Sequence, residues 1–190
     1  MTRTSLDQQI KSVAQEIDRC LGTVDVSSVD RAIARVSAAE RVFLAGAGRS
    51  ALAIRAHAMR LMHMGKTAYV VGDVTTPNIK PDDLLIVGSG SGRTASLLAS
   101  AQKAKDLGAR LLLLTIDPQS PIGLLADDVV KIAAPSPKAA QTPGAVTSIQ
   151  PMGALFEQCL FILLDLMILA LMQRQGLSAE QMFARHANLE

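Results

Sequence analysis

The sequence predicts a doubly wound α/β fold, in which five parallel strands form a sheet with helices on both faces. Five short apolar runs alternate with longer helical segments between residues 41 and 133, which is the pattern of a parallel sheet. Hydrophobic residues make up 49% of the chain but aromatic residues only 3%, so aliphatic side chains must build the core. A length of 190 residues suits one such domain with some additional helix.

The N-terminal residues 1–40 are predicted to form two amphipathic helices that precede the sheet. The first runs from about Ser5 to Leu21, and the second from about Ser28 to Ala39 with Ser27 or Ser28 as its cap. Neither helix carries a recognisable chemical motif. We therefore expect the chemistry to lie further along the chain.

The α/β core is predicted over residues 41–133. Its strands are expected at residues 42–45, 68–71, 84–87, 111–114 and 129–132. Its helices are expected at about residues 50–64, 94–107 and 121–126. The apolar runs end in loops that contain glycine or acidic residues, which is typical of a strand that turns into a helix.

The C-terminal part is predicted to begin as a loop and to continue as helices over residues 151–186. Four of the eight prolines lie between Pro135 and Pro151, so we expect a long irregular loop, and such loops are commonly functional. Pro151 suits the first turn of a long helix, where a missing N–H is harmless. A last short helix is expected from Ser178 to about Arg185.

The segment from Leu160 to Met172 is apolar except for Asp165. It could be mistaken for a membrane span, but Glu157 and Gln158 precede it, and a span needs roughly 20 apolar residues. We therefore expect a buried helix and no membrane partner. A helix that is apolar nearly all round must be covered on every side, which favours a subunit interface in a homo-oligomer.

The charge balance and the cysteines argue against several classes of protein. The 19 basic and 17 acidic residues leave a formal charge of +2, which does not indicate a surface for nucleic acid. Cys20 and Cys159 have no CxxC pattern or Cys/His cluster around them, and the N-terminus lacks an apolar secretory segment. We expect a reduced, cytoplasmic protein.

Two loops rich in glycine and serine mark the candidate ligand site. Gly46–Ser50 follows the first strand and Gly88–Thr94 follows the third, and both lead directly into a helix. Ligands of open α/β sheets bind beyond the carboxyl ends of the strands. Small residues there expose backbone N–H groups at a helix N-terminus, and Ser and Thr add hydroxyl donors, so we expect a phosphate cradle. The alternative for each loop is an ordinary turn with a capping Ser or Thr.

Three other motifs fit these loops less well. The first loop satisfies the loose form of the dinucleotide fingerprint, with Asp73 as the candidate ribose acid. In the second loop, Val87 and Arg93 occupy the places of the first glycine and the lysine of a Walker A loop. A GxSxG nucleophile elbow is not formed either. A nicotinamide-dependent oxidoreductase thus stays as a weaker alternative, and a serine hydrolase has no support.

Four segments carry a more specific resemblance: AMRLMHMG at 58–65, SGSG at 89–92, QPMGALFEQ at 150–158 and RHANLE at 185–190. In these segments the chain resembles the 6-phospho-3-hexuloisomerases, phosphosugar isomerases built on the sugar isomerase (SIS) domain. The resemblance implies a single SIS domain with a flavodoxin-like three-layer sandwich. It also implies interconversion of D-arabino-hex-3-ulose 6-phosphate and D-fructose 6-phosphate, a step of formaldehyde fixation by the ribulose monophosphate pathway.

The resemblance further implies roles for individual residues. Glu157 is expected to be the base that moves a proton between neighbouring carbons through an enediol, and His63 and His186 are candidates for a second proton-handling role. The expected phosphate-binding residues are Gly48, Arg49, Ser50, Ser89, Gly90, Ser91, Gly92, Arg93 and Thr94. Such a reaction requires no redox cofactor and no metal.

Two other functions stay open at this point. An aldose–ketose phosphosugar isomerase would use similar loops, and so would a non-catalytic phosphosugar-binding regulator. The family also suggests a homotetramer. In such an assembly, His63 or His186 could act on the substrate of a neighbouring subunit.

Overall fold

The computed structural model describes residues 5–136 and 146–189, and in this part of the chain it contains one sheet of five parallel strands. The strands are β1 (Arg41–Gly46), β2 (Thr67–Val70), β3 (Leu84–Gly88), β4 (Arg110–Thr115) and β5 (Asp128–Lys131). Their order across the sheet is β2-β1-β3-β4-β5. β3 is aliphatic at each position before its final glycine because helices cover both faces of the central strand. The predicted five-stranded, doubly wound parallel sheet is confirmed.

Helices form the outer two layers around this sheet. Those of the described residues are α1 (Leu6–Gly22), α2 (Val26–Ala38), α3 (Gly48–His63), α4 (Ala95–Asp106), α5 (Pro121–Leu125), α6 (Ala154–Gln175) and α7 (Ala179–Phe183). Alternate residues of each strand point to opposite faces, so Leu112 joins the core under α1, α2, α3 and α6, whereas Leu113 joins the core under α4 and α5.

The strands lie close to where the sequence predicts them. Each observed strand boundary differs from the predicted one by at most one residue. The second helix is different, because it begins at Val26 instead of Ser28. Its cap is Asp25, whose carboxylate accepts a hydrogen bond from the backbone N–H of Ser27 at 3.0 Å. The prediction of Ser27 or Ser28 as the cap is therefore wrong.

The long C-terminal helix also begins later than predicted. α6 starts at Ala154 with Gly153 as its cap, so Pro151 does not occupy its first turn. The cause is Met152, whose left-handed backbone (φ 51°) is incompatible with a right-handed helix that would continue from Pro151 into α6. Most of the loop predicted between Pro135 and Pro151 lies outside the described residues.

α6 is the apolar helix that the sequence singles out. By length and composition it could cross a membrane, since its 22 residues include a stretch with a mean hydropathy of 2.2, but the fold buries half of that stretch. The core helix of a globular protein meets the same criterion. Buried positions face α3, α1 and α2, whereas Asp165 lies on the exposed side.

The topology places the ends of β1 and β3 side by side. Gly46 of β1 is in register with Gly88 of β3. From β1 the chain crosses to one edge of the sheet, and from β3 it crosses towards the other, so the order of strands reverses at this point. Such a reversal leaves a crevice beyond the carboxyl ends of the two strands.

Candidate active site

The first loop at this crevice joins β1 to α3. Gly48 is the first residue of α3, and the preceding Ala47 makes no side-chain capping hydrogen bond. The N–H groups of the first turn of a helix have no partner within the helix. Together with the positive end of the helix dipole they form a site for an anion. Arg49 and Ser50 follow in the same turn and line the crevice.

The second loop joins β3 to α4. A Cβ atom at Gly88 would lie 2.7 Å from Cγ1 of Ile54, so only glycine allows α3 to approach the strand this closely. The buried Ser89 hydroxyl accepts a hydrogen bond from the N–H of Gly92 at 3.2 Å, which closes the loop. Thr94 is the N-terminal cap of α4 but makes no side-chain capping bond, so its hydroxyl can serve a ligand.

The two loops enclose a cavity of about 350 Å³ together with the N-terminus of α6. Its walls include most of the residues that the sequence predicts to bind phosphate: Gly48, Arg49, Ser50, Ser89, Gly90, Ser91 and Thr94. The N-termini of three helices therefore meet at one cavity. This arrangement favours a negatively charged ligand group.

Gly92 and Arg93, which the sequence also places in the phosphate loop, are not among the residues that line this cavity. Gly92 has a left-handed backbone (φ 58°), and a Cβ atom there would collide with the hydroxyl of the buried Ser120. The guanidinium of Arg93 forms an ion pair with Asp117 at 3.0 Å. Both residues thus shape and hold the loop from outside the cavity.

Glu157 lies in the first turn of α6 and lines the cavity. Its carboxylate Oε2 accepts a hydrogen bond from Nε of Arg49. The Glu157 side chain is 20% exposed and the Arg49 side chain 62% exposed, so the acid is shielded while the cation faces solvent. The structure thus brings the predicted base and the two loops that are predicted to bind phosphate to the same cavity.

His63 and His186 meet each other, but at a different place. Their rings stack with centroids 5.3 Å apart, and they line a second cavity of about 320 Å³ with Arg60, Asp165 and Phe183. His63 is the last residue of the 16-residue α3, about 22 Å along the helix from Gly48 at about 1.5 Å per residue. Within one chain, the two histidines and Glu157 therefore lie at opposite ends of the packed helices α3 and α6.

The pKa of the His63 imidazole is lowered, mainly because the ring is buried and further because Arg60 and His186 lie nearby. The neutral form of His63 is thus favoured near neutral pH. A neutral imidazole can accept a proton or donate a hydrogen bond.

A comparison with known protein families shows to which family this chain belongs. Residues 36–162 match the family model of the SIS domain. The chain belongs to the SIS domain family. This SIS domain includes both loops, the cavity and Glu157, as the sequence resemblance predicts.

Relatives with assigned names cover nearly the whole chain. The 3-hexulose-6-phosphate isomerase of Bacillus subtilis is 43% identical over 183 residues, which is 96% of this chain and 98% of the relative. The 3-hexulose-6-phosphate isomerase of Mycobacterium gastri is 42% identical over 97% of this chain and 92% of its own length. A solved structure from Methanococcus jannaschii, from which the function of a 3-hexulose-6-phosphate isomerase was inferred, superposes with a TM-score of 0.83 at 34% identity, covering 96% of this chain and 99% of that one.

Several residues that line the cavity are not among the individual residues predicted to bind phosphate or to act in catalysis, although Ala47 and Gly88 belong to the two predicted loops. They are Ala47, Gly88, Leu97, Ile116, Ser136, Met152, Gly153 and Phe156. Ile116 follows β4, so the rule that ligands bind beyond the carboxyl ends of strands could have found it. Met152 and Phe156 lie in the segment at 150–158 that carries the family resemblance, but nothing in their residue types indicates that they line a cavity.

The described parts of the chain, residues 5–136 and 146–189, contain no group of three or more His, Cys, Asp or Glu residues that could hold a metal ion. The acidic residue of the cavity, Glu157, pairs with Arg49 instead. The Glu157 carboxylate and the hydroxyl groups of the two loops are groups that can transfer protons and form hydrogen bonds at the cavity.

Proposed function

We propose that this chain interconverts D-arabino-hex-3-ulose 6-phosphate and D-fructose 6-phosphate, as a step of the ribulose monophosphate pathway, and that Glu157 is its base. The observation that carries the proposal is a carboxylate beside two Ser- and Gly-rich loops at one cavity. The names of the relatives that cover nearly the whole chain support the same reaction. A phosphosugar is thus the substrate.

The two loops are assigned to the phosphate. The N-termini of α3 and α4 lie at the cavity and supply backbone N–H donors, and the hydroxyls of Ser50, Ser89, Ser91 and Thr94 supply further donors. Arg49 adds a positive charge at the mouth of the cavity. An anchored phosphate fixes the sugar chain, so that the carbons to be isomerised reach the side of the cavity formed by α6.

Glu157 is assigned the proton transfer between C2 and C3. It removes the proton from C2 of the 3-ketose while the carbonyl oxygen at C3 gains a proton, which forms the 2,3-enediol. The proton on the carboxyl group then returns to C3, and the hydroxyl at C2 loses its proton to form the new carbonyl. Hydrogen-bond donors at the cavity stabilise the negative charge that develops on the oxygens.

We propose that the enzyme is a cytoplasmic homo-oligomer, with a tetramer as the form that the family suggests. α3 and α6 expose several large apolar side chains that a second copy can cover: Leu52, Met59, Met62, Phe161, Leu166 and Leu169. Cys20 and Cys159 are buried and free, as expected in a reducing compartment. In the oligomer, His63 or His186 of one subunit takes part in proton transfer to or from the substrate that is bound to another subunit.

The test is the conversion of D-arabino-hex-3-ulose 6-phosphate, generated in situ from formaldehyde and ribulose 5-phosphate, into fructose 6-phosphate. We expect turnover by the wild type and a loss of about 10²- to 10⁴-fold in kcat for Glu157→Gln, the usual contribution of a general base. Asp106→Asn, which changes an exposed acid at the end of α4 that lines neither cavity, serves as the control. A folded wild type that does not convert this ketose would redirect the proposal to another phosphosugar or to a regulator.

A further inference from the structure

Glu16 is a buried acid in α1, far in sequence from the catalytic cavity, and its side chain makes three hydrogen bonds to one short segment. The residue is 3% exposed. Its carboxylate accepts from the Ser148 hydroxyl at 2.7 Å, from the backbone N–H of Ile149 at 2.8 Å and from the side-chain amide of Gln150 at 3.0 Å. The segment around residue 149 is thus tied to the first helix of the chain.

These three bonds compensate a buried charge, and the nearby positive charge of Arg19 adds to them. Burial alone would raise the pKa of Glu16, but the hydrogen bonds from Ser148, Ile149 and Gln150 outweigh it and lower the pKa. A carboxylate that accepts several hydrogen bonds is held in its charged form. Because the donors belong to consecutive residues, Glu16 constrains the backbone of this segment as well as its side chains.

The segment held by Glu16 leads directly to the cavity. Gln150 is followed by Pro151, Met152 and Gly153, and α6 begins with Ala154. Met152 and Gly153 line the cavity with Glu157. The N–H of Ala154 donates to the carbonyl of Pro151 at 3.1 Å, which joins the turn to the helix.

Met152 shows that this turn is under conformational strain. Its φ of 51° lies in the left-handed region, which residues other than Gly, Asn or Asp adopt only at a cost in free energy. A strained residue persists only where its surroundings hold it in place. Glu16 fixes the chain two residues before Met152, and α6 fixes it two residues after.

We propose that Glu16 is a positioning residue, which holds the turn at residues 148–153 and thereby sets the place of Met152 and of the Glu157 carboxylate in the cavity. The inference rests on the proposed function for the role of Glu157. It assigns a part in catalysis to α1, which precedes the residues 36–162 that match the SIS domain model. It also explains why an acid is buried in a helix that otherwise carries no chemical motif.

The phosphate loops provide a way to separate positioning from general stability. They lie on β1–α3 and β3–α4, and none of the hydrogen bonds of Glu16 reaches them. Loss of the Glu16 bonds should therefore displace the base and leave the anchor of the substrate in place. A displacement of about 1 Å caused by a remote mutation can cost about 10²-fold in rate.

The experiment compares Glu16→Gln, Glu16→Ala and Ser148→Ala with the control Asp18→Asn, which changes an exposed acid of the same helix. We expect kcat to fall at least about 10-fold in Glu16→Ala and less in Glu16→Gln, which keeps one acceptor oxygen, while KM changes by less than about 3-fold. Asp18→Asn should keep both values. In a double-mutant cycle, Ser148→Ala should add little to the loss in Glu16→Ala, because both act through the same bonds.

Hydrogen exchange of the backbone amides provides a second readout that does not depend on turnover. The N–H groups of residues 149, 150 and 152–157 should exchange at least about 10-fold faster in Glu16→Ala, while those of β1 and β3 keep their protection. If the wild type has no isomerase activity, the proposed function fails, and hydrogen exchange still tests whether Glu16 holds this turn. Unchanged kcat in a folded Glu16→Ala, or unchanged exchange at residues 149, 150 and 152–157, would overturn the inference.

Discussion

Nε of Arg49 donates a hydrogen bond to the Glu157 carboxylate, so that a cation in the first turn of α3 and an acid in the first turn of α6 form an ion pair beside the cavity. The two residues are 108 positions apart in the chain. The pair therefore connects Arg49, which is proposed to bind the phosphate, with Glu157, which is proposed to be the base. A bound phosphate would compete with Glu157 for the guanidinium, because both are anions that arginine binds well.

Replacing Arg49 should impair both binding and turnover. In Arg49→Gln we expect kcat/KM to fall about 10²-fold, since a charge-assisted contact to the phosphate and the partner of Glu157 are lost together. Arg55→Gln is the matched control, because Arg55 lies on the same helix and pairs with Asp73 away from the cavity. Steady-state kinetics with both variants measure the difference, and similar values for the two would contradict the assignment.

Gly92→Ala should destabilise the second loop. The new methyl group would collide with the Ser120 hydroxyl, and the φ of 58° is unfavourable for alanine. We expect the free energy of unfolding to fall by about 2 kcal/mol or more. Denaturant unfolding measures this change. Gly22→Ala, at a site with open space and no positive φ, should change stability little, and an equal loss in both variants would refute the explanation.

The buried His57 should make the protein sensitive to mild acid. Within the described part of the chain, neither ring nitrogen makes a hydrogen bond of good geometry. Burial lowers the pKa of His57 from 6.5 to about 4, although the backbone of Leu164 acts in the opposite direction. Since the unfolded chain binds the proton first, stability should fall as the pH drops from about 6.5 to 4, by about 3 kcal/mol in total. Below that range this group adds no further loss.

His57→Leu tests this expectation, because leucine keeps the site filled and cannot titrate. Urea unfolding at pH 7 and pH 5 should show a smaller difference in stability for the variant than for the wild type. The range between pH 6.5 and 5 lies above the usual pKa values of carboxyl groups, so histidines dominate it. An identical pH dependence in the two proteins would contradict the prediction.

Mixed oligomers should reveal whether His63 acts on a neighbouring subunit. We expect His63→Ala and Glu157→Gln each to abolish most activity, and their coexpression to restore part of it. The reason is that a mixed oligomer can combine an intact His63 from one chain with an intact Glu157 from another, whereas within one chain the two lie at opposite ends of α3 and α6. Coexpressed variants that stay as inactive as the separate ones would argue for action within a single chain.

Much of the fold can be predicted from the sequence because its signals are local. β3 is recognisable from the run Leu84–Val87, since a strand buried on both faces must be apolar at successive positions. The loops that follow β1 and β3 are recognisable from glycine and serine at the start of helices. The start of α6 cannot be predicted in this way, because the residue type of Met152 does not indicate its left-handed backbone.

The sequence by itself determined the layers of the fold, the order in which strands and helices alternate, and the two loops proposed to hold phosphate. Only the tertiary structure decided that Glu157 meets Arg49, that Glu16 holds the turn before α6, and that His63 stacks on His186 away from Glu157. The physical reason is the range of the interactions. Hydrophobic periodicity and turn chemistry act over a few residues, whereas these contacts join positions more than 100 residues apart and exist only once helices pack on the sheet.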